Sequence, residues 1–185
     1  TGVLILATGK MTKQIEKLQT HTKEYVATIQ LGATTPSYDM EHEENETFPT
    51  EHITRELIET ALQQFIGDIE QVPPTYSAVK VNGQRAFDYR RNGEDIVLKP
   101  KNIRIDEIEI THFDADRMQL TLRVVCGKGT YIRALARDLG RAINSGAYLV
   151  ALRRTRIGNI KVEECINYDH FNEWLNQQNI EIVDK

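Results

Sequence analysis

A lysine and a tyrosine two positions apart, Lys23 and Tyr25, are the first side chains in the sequence that could do chemistry together. They open a segment in which apolar residues alternate with polar or small ones, a period that predicts a half-buried strand. Residues i and i+2 of a strand share a face, so the cation and the ring lie side by side. A nucleobase could stack on such a ring while its phosphate meets the cation. The alternative is a tyrosine at the edge of the core beside a lysine in solvent.

A second group lies where a predicted strand passes into a predicted helix, in the segment Val125-Cys126-Gly127-Lys128-Gly129-Thr130-Tyr131-Ile132-Arg133. Backbone amides at a helix N-terminus attract anions, and Lys128 adds a positive charge. An ordinary strand-to-helix turn explains the glycines about equally well. The helix has a sufficient apolar face without Tyr131 and Arg133, so these two side chains are left to point elsewhere.

Arginines recur in the segment Leu152-Arg153-Arg154-Thr155-Arg156, which is predicted to be extended. An extended chain places Leu152, Arg154 and Arg156 in one phase, and the arginines could contact a nucleic-acid backbone. The alternative is a solvated edge strand whose charges prevent aggregation.

The segment Pro73-Pro74-Thr75-Tyr76-Ser77-Ala78-Val79-Lys80 predicts a rigid polar loop, for which a kinked connector is the simpler interpretation.

The charges of the chain are strongly segregated, although its net charge is only −4. Residues 37–59 hold eight acidic side chains and one basic one, whereas residues 121–156 hold eight basic side chains and one acidic one. Local positive potential attracts phosphates whatever the overall charge, so a polyanionic partner is compatible with this composition. A charge run is also typical of a merely solvated face.

Several classes of protein are excluded by composition. No apolar run, Val3 to Ala7 included, is long enough to cross a bilayer, and no secretory signal is expected. The two cysteines, Cys126 and Cys165, provide no disulfide scaffold and favour a cytoplasmic protein. No Cys or His pair has zinc-finger spacing, so no metal is expected. The histidines are expected on the surface without partners; they are His21, His42, His52, His112 and His170.

Hydrophobic periodicity and turn residues predict the elements that must position these side chains. The predicted strands are Val3–Ala7, Tyr25–Leu31, Ser77–Val81, Ile103–Ile110, Met118–Cys126 and Leu149–Ile160. The predicted helices are Lys10–Leu18, Thr54–Ile66, Gln84–Arg91, Thr130–Ile143 and Phe171–Leu175. The intervening residues 32–50 are turn-rich and acidic, which predicts a loop. Because the order lacks regular βαβ alternation, we expect an α+β fold: a mostly antiparallel mixed sheet flanked by helices.

Four blocks of sequence, taken in order, are similar to the TruB family of pseudouridine synthases. They are Thr1-Gly2-Val3-Leu4 through Thr8-Gly9-Lys10, Lys23-Glu24-Tyr25 with Leu31-Gly32, Pro73 to Lys80, and Gly127 to Arg133 continuing to Asp138-Leu139-Gly140 and Leu152-Arg153-Arg154. The resemblance implies the catalytic-domain fold of that family, extending over residues 1–185 as one domain truncated at its N-terminus. It also implies that a C-terminal RNA-binding module has little room here.

The reaction that the resemblance implies is the conversion of uridine to pseudouridine at position 55 in the T loop of tRNA, with the target base flipped out. The family's nucleophile is an aspartate in a Gly-x-Leu-Asp-Pro-x-Ala-Thr-Gly motif. Only the final Thr1-Gly2 is present here, so the aspartate is expected upstream of Thr1 and this chain alone is expected to be inactive.

The resemblance assigns catalytic roles to Tyr25, which would stack on uracil, and Arg133, which would pair with the nucleophilic carboxylate. Tyr131 would assist proton removal from carbon 5. Substrate-binding roles fall on Lys23, Lys128, Leu152, Arg153 and Arg154. We expect no cofactor, no metal, no membrane, a monomer in the cytoplasm, and the T arm of tRNA as partner. The alternative function is a non-catalytic RNA-binding domain that holds or folds tRNA.

Overall fold

The structure is a computed structural model that describes residues 1–77, 79–81, 83–91 and 96–178. In chain order the strands are β1 (Lys23–Leu31), β2 (Ala33–Thr34), β3 (Glu46–Thr47), β4 (Gly67–Gln71), β5 (Lys80–Val81), β6 (Gln84–Arg85), β7 (Lys101–Asp114), β8 (Gln119–Cys126), β9 (Ala147–Ile157) and β10 (Ile160–Lys161). The α-helices are α1 (Ile15–Gln19), α2 (Arg55–Leu62), α3 (Ala86–Arg91), α4 (Ile132–Ala142) and α5 (Phe171–Gln177).

Six of the strands form one sheet in the spatial order β10-β9-β1-β8-β7-β4. Every neighbouring pair in it is antiparallel. The strands β2 and β3 form one separate hairpin, and β5 and β6 form another. The α+β expectation with a mostly antiparallel sheet is therefore confirmed.

The core lies on the face of the sheet that α2 and α4 cover. Along β1, Ala27, Ile29 and Leu31 are buried while the residues between them are half-exposed, as the alternating pattern predicts. Helix α2 begins after Thr54, whose side chain accepts a hydrogen bond from the backbone nitrogen of Leu57 at 3.2 Å. Helix α4 turns its apolar side onto the same face of the sheet, so it holds the residues of its first turn at one edge of the core.

The N-terminal segment differs from its prediction. Val3–Ala7 is not a strand of the sheet, and the side chains of Leu4 and Leu6 are 70% and 73% exposed. The backbone at and just before its first residue pairs instead with the edge of β9: Val3 N donates to Arg154 O at 2.8 Å, and Arg154 N donates to Thr1 O at 3.1 Å. An apolar run predicts burial but does not reveal whether the chain has a paired strand on either side of it.

One strand was not predicted, and one further expectation needs correction. Residues 67–71, for which no element was predicted, form the edge strand β4. The histidines are not all without partners: His42 contacts the Ser37 hydroxyl at 3.0 Å, and the Nε2 atom of His52 lies 2.8 Å from Ile143 O. Local sequence does not show these partners, because both histidines lie in turn-rich segments that fold back on other elements.

The acidic loop contains more structure than its composition suggests. It includes the β2–β3 hairpin, and the hydroxyl of Tyr148 donates to Glu44 at 2.8 Å. Burial and the Glu44 carboxylate raise the pKa of Tyr148 to about 12. Ala78 of the predicted strand Ser77–Val81 lies outside the described residues, as does Asn82, which connects this strand to the predicted helix Gln84–Arg91. Within the part that is described, no helix has the length and apolar character that a membrane crossing requires.

Candidate functional site

Arg133 is the second residue of α4, and the fold surrounds its guanidinium with acceptors. Nη1 donates to Asp39 Oδ2 at 2.7 Å, and Nη2 donates to the carbonyl oxygen of Tyr76, also at 2.7 Å. The side chains of Arg133 and Asp39 are 22% and 18% exposed. A charge-assisted bond at this depth is stronger than a surface ion pair, because less water competes for the charges.

Asp39 is a site residue that the sequence reasoning missed. Its Oδ1 atom accepts from the Ser37 hydroxyl at 2.5 Å and from the backbone nitrogen of Glu41 at 3.0 Å. Its backbone forms a parallel bridge with Leu149 of β9, which fixes this part of the acidic loop to the sheet. The only signal in the sequence was the opposite charge of residues 37–59 and 121–156, and that signal does not single out one aspartate.

An open cavity of about 430 Å³ lies where these elements meet, and its lining consists of Asp39, Met40, Glu41, Arg133 and residues 149–152. Arg133 and Leu152, which lie in separate segments of the sequence, are therefore brought to one site. Leu152 gives it an apolar wall, while Arg133 and Asp39 give it one cation and one anion. Such a cavity can hold a planar ring against hydrocarbon and an anionic group against the guanidinium.

Tyr25, Lys23 and Arg154 form a neighbouring group. Tyr25 lies opposite Arg154 in the β1–β9 ladder, on the same sheet face as Leu152, which lies opposite Ala27. Burial raises the pKa of Tyr25, and a hydrogen bond with Arg154 partly offsets it. Burial lowers the pKa of Lys23, whose ammonium donates to the carbonyl oxygens of Gln19 and His21.

The guanidinium of Arg154 is occupied by the N-terminal segment. Nε donates to Val3 O at 2.8 Å and Nη2 donates to the same oxygen at 2.5 Å. Arg154 therefore ties the start of the chain to β9 beside Tyr25. This is a positioning role, whereas the sequence suggested contact with a nucleic-acid backbone.

Tyr131 precedes α4, and an amide side chain holds its backbone. Gln71, only 2% exposed, accepts from Tyr131 N at 2.9 Å and donates to Tyr131 O at 3.2 Å.

Lys128 is exposed in the turn before α4. Arg153 is exposed and lies opposite Val26, on the sheet face away from Leu152. Of the predicted site residues, the cavity lining includes Arg133 and Leu152. It does not include Lys23, Tyr25, Lys128, Tyr131, Arg153 or Arg154.

The chain matches known family models over nearly its whole length. Residues 1–132 match the model of the TruB family pseudouridylate synthase N-terminal domain, and residues 133–183 match that of the tRNA pseudouridylate synthase B C-terminal domain. The chain belongs to the TruB family. The resemblance carried by the four sequence blocks is thus confirmed, and TruB homologues support a role in tRNA pseudouridylation, an isomerase activity.

Individual TruB relatives match over nearly the whole chain. The tRNA pseudouridine synthase B of Phocaeicola vulgatus is 60% identical over 183 residues, which cover 99% of this chain and 77% of that protein. The protein of the same name from Bacteroides fragilis is 59% identical over 184 residues, covering 100% of this chain and 78% of that protein.

Solved structures show the same fold. A chain of a Cbf5-Nop10-Gar1 complex matches with a TM-score of 0.61 and 25% identity, over 95% of this chain. An H/ACA ribonucleoprotein bound to a substrate RNA matches with a TM-score of 0.61 and 23% identity. The chain spans less than half the length of the matched chain in each of these two structures, 44% and 42%.

Proposed function

We propose that the cavity beside Arg133 receives a uridine flipped out of the T loop of tRNA, at position 55, and that the protein converts it to pseudouridine. In this isomerisation the N1–C1′ bond breaks and a C5–C1′ bond forms. The proton on C5 leaves, and N1 ends with a proton, so no oxidant, reductant or cofactor is needed. The TruB relationship and the mixed apolar and charged lining of the cavity support the proposal.

The proposed nucleophile is an aspartate upstream of Thr1, and the path of the N-terminus is the observation that best supports it. The Thr1 amino group donates to Leu152 O at 3.0 Å, so this segment runs parallel to β9. A chain continued backwards along the same edge would lie beside Ala151 and Val150 of the cavity lining before reaching Leu149, which is already bridged to Asp39. Residues entering Thr1 from this direction would therefore pass the cavity that Arg133 lines.

Arg133 would hold the nucleophile ionised. A guanidinium carries five N–H groups, and among the described residues its acceptors are Asp39 Oδ2, Ser37 O and Tyr76 O. Donors remain for a second carboxylate, whose pKa would be lowered by the adjacent positive charge. Asp39 would keep the guanidinium pointed at the cavity when substrate is absent.

The remaining residues have proposed roles around the base. Tyr25 would stack on the uracil ring, with Leu152 as the apolar wall. Tyr131 would assist the removal of the proton from C5. Lys128 and Arg153 would contact phosphates. Lys23 would support the site or contact a phosphate, and Arg154 holds the N-terminal segment.

The proposal is tested with full-length protein and a tRNA carrying tritium at C5 of uridine, because the reaction releases that label into water. Wild type should release tritium, and a tRNA with cytidine at position 55 should release none from that site. Arg133→Ala should bind tRNA yet lose most turnover. Release that persists with cytidine at position 55 would refute the T-loop assignment, and full turnover by Arg133→Ala would remove Arg133 from the site.

A second measurement separates an enzyme from a non-catalytic RNA-binding domain. Residues 1–185 alone should bind a T-arm stem-loop but release no tritium, since the proposed nucleophile precedes Thr1. The full-length protein should do both. Turnover by residues 1–185 would show that another nucleophile exists, and binding without turnover by the full-length protein would favour the RNA-binding alternative.

A further inference from the structure

His42, an exposed residue of the acidic loop, is linked to Arg133 through a chain of three hydrogen bonds. The first of them, between His42 and Ser37, is used neither by the sequence motifs nor by the proposed reaction. His42 Nδ1 lies 3.0 Å from the hydroxyl oxygen of Ser37, and that hydroxyl lies 2.5 Å from Asp39 Oδ1. The other oxygen of Asp39 accepts from Arg133. Ser37 is completely buried, so water does not substitute for either partner of its hydroxyl.

The direction of these bonds follows from counting hydrogens. A serine hydroxyl has one hydrogen and can also accept. The Ser37 hydroxyl donates its hydrogen to the Asp39 carboxylate. Its oxygen must therefore accept the bond with His42, in which Nδ1–H is the donor. Both the cationic ring and the Nδ1–H tautomer can do this, so the contact does not depend on a change of charge on His42.

A second contact connects His42 to the other side of Arg133. The His42 and Tyr76 rings lie with their centroids 4.9 Å apart at an interplanar angle of 53°. The carbonyl oxygen of Tyr76 accepts from Arg133 Nη2. His42 thus touches both structures that bind the guanidinium, the Asp39 turn through Ser37 and the loop after Pro74 through Tyr76.

We propose that His42 is a positioning residue: by donating to Ser37 it orients the hydroxyl that holds the Asp39 carboxylate against Arg133. The hydroxyl is then committed to Asp39, and the carboxylate cannot rotate without breaking a buried bond. This inference rests on the proposed function, because its consequence is a guanidinium held ready for the reacting carboxylate.

Three substitutions at position 42 of the full-length protein separate the hydrogen bond from the ring contact. His42→Phe keeps a ring near Tyr76 but has no donor, His42→Ala removes both, and His42→Asn keeps a donor at the δ position. Loss of one bond in a network ending on charged groups should lower kcat about tenfold in the Phe and Ala variants. His42→Asn should stay within roughly threefold of wild type. The KM for tRNA and the Tm should change little in all three.

A matched control and a double-mutant cycle complete the test. His112→Ala changes an exposed histidine on β7, which β1 and β8 separate from β9, and should leave kcat unchanged. If His42 acts through Ser37, the His42→Ala and Ser37→Ala losses should be strongly non-additive. Wild-type kcat in His42→Phe, no rescue by His42→Asn, or additive losses would each overturn the inference while leaving the proposed function intact. A wild-type protein that converts no uridine would refute the proposed function and this inference with it.

Discussion

Replacing Asp39 by asparagine removes one charge from the site at almost constant volume. The 2.7 Å bond from Arg133 Nη1 to Oδ2 loses its anionic acceptor, and if Oδ1 keeps its bonds from Ser37 and Glu41, the new amide points its own hydrogens at the guanidinium. Hydrogen bonds to charged groups contribute about 1.5–3 kcal/mol. If the whole of that loss falls on the transition state, kcat falls by roughly ten- to 150-fold, at about 1.4 kcal/mol per factor of ten.

The assay is tritium release by full-length Asp39→Asn protein under saturating tRNA, with tRNA affinity measured separately. We expect the loss in kcat and an affinity close to wild type, since Asp39 binds Arg133 rather than RNA. The matched control is Asp68→Asn, which removes the negative charge from a 3.0 Å ion pair with Arg104 in which the aspartate side chain is 77% exposed. The control should change kcat little. If Asp39→Asn turns over as fast as wild type, Asp39 does not position Arg133.

Three further measurements test other parts of the structure. Burial opposes ionisation of Glu24, but bonds from Thr155 and nearby arginines outweigh it and hold its pKa below the usual 4.5. The ionised Glu24 carboxylate stabilises the folded protein above pH 4.5, and this stability is lost as the pH falls through the lower pKa of the folded state. Glu24→Gln should therefore make unfolding less sensitive to acid, as measured by circular dichroism. Gly140→Ala should lower Tm, because its Cβ would lie 2.5 Å from Ala147 N, and overpacking costs ~1–3 kcal/mol against a helix-propensity gain of ~1 kcal/mol. Binding of a T-arm stem-loop should weaken steeply with salt, measured by fluorescence anisotropy.

Each of these three has an outcome that contradicts its reasoning. An acid transition in Glu24→Gln as steep as that of wild type would mean that the carboxylate adds no pH-dependent stability. A raised Tm in Gly140→Ala would show that the helix and β9 separate easily. Salt-independent affinity would argue against phosphate contacts by the basic segment.

Local sequence was sufficient for the elements whose period is regular. Alternation predicted β1, and the spacing of apolar residues predicted α2 and α4 to within a few residues. The predicted strand Val3–Ala7 was wrong and β4 was missed, because a short apolar run or a short mixed segment is compatible with more than one conformation. Whether such a segment forms a strand is decided by the neighbour that pairs with it.

The sequence by itself determined which residue types are available for chemistry, which faces are apolar, and, through its motifs, the family. Tertiary structure decided that Arg133 meets Asp39, 94 positions away, and that the backbone of Thr1–Val3 lies along β9. The physical reason is that alternation and helical period report only how a segment faces the core. The partner of a charged group depends on the register of β1 and β9, including its two irregularities, and on the turn that brings the acidic loop over α4.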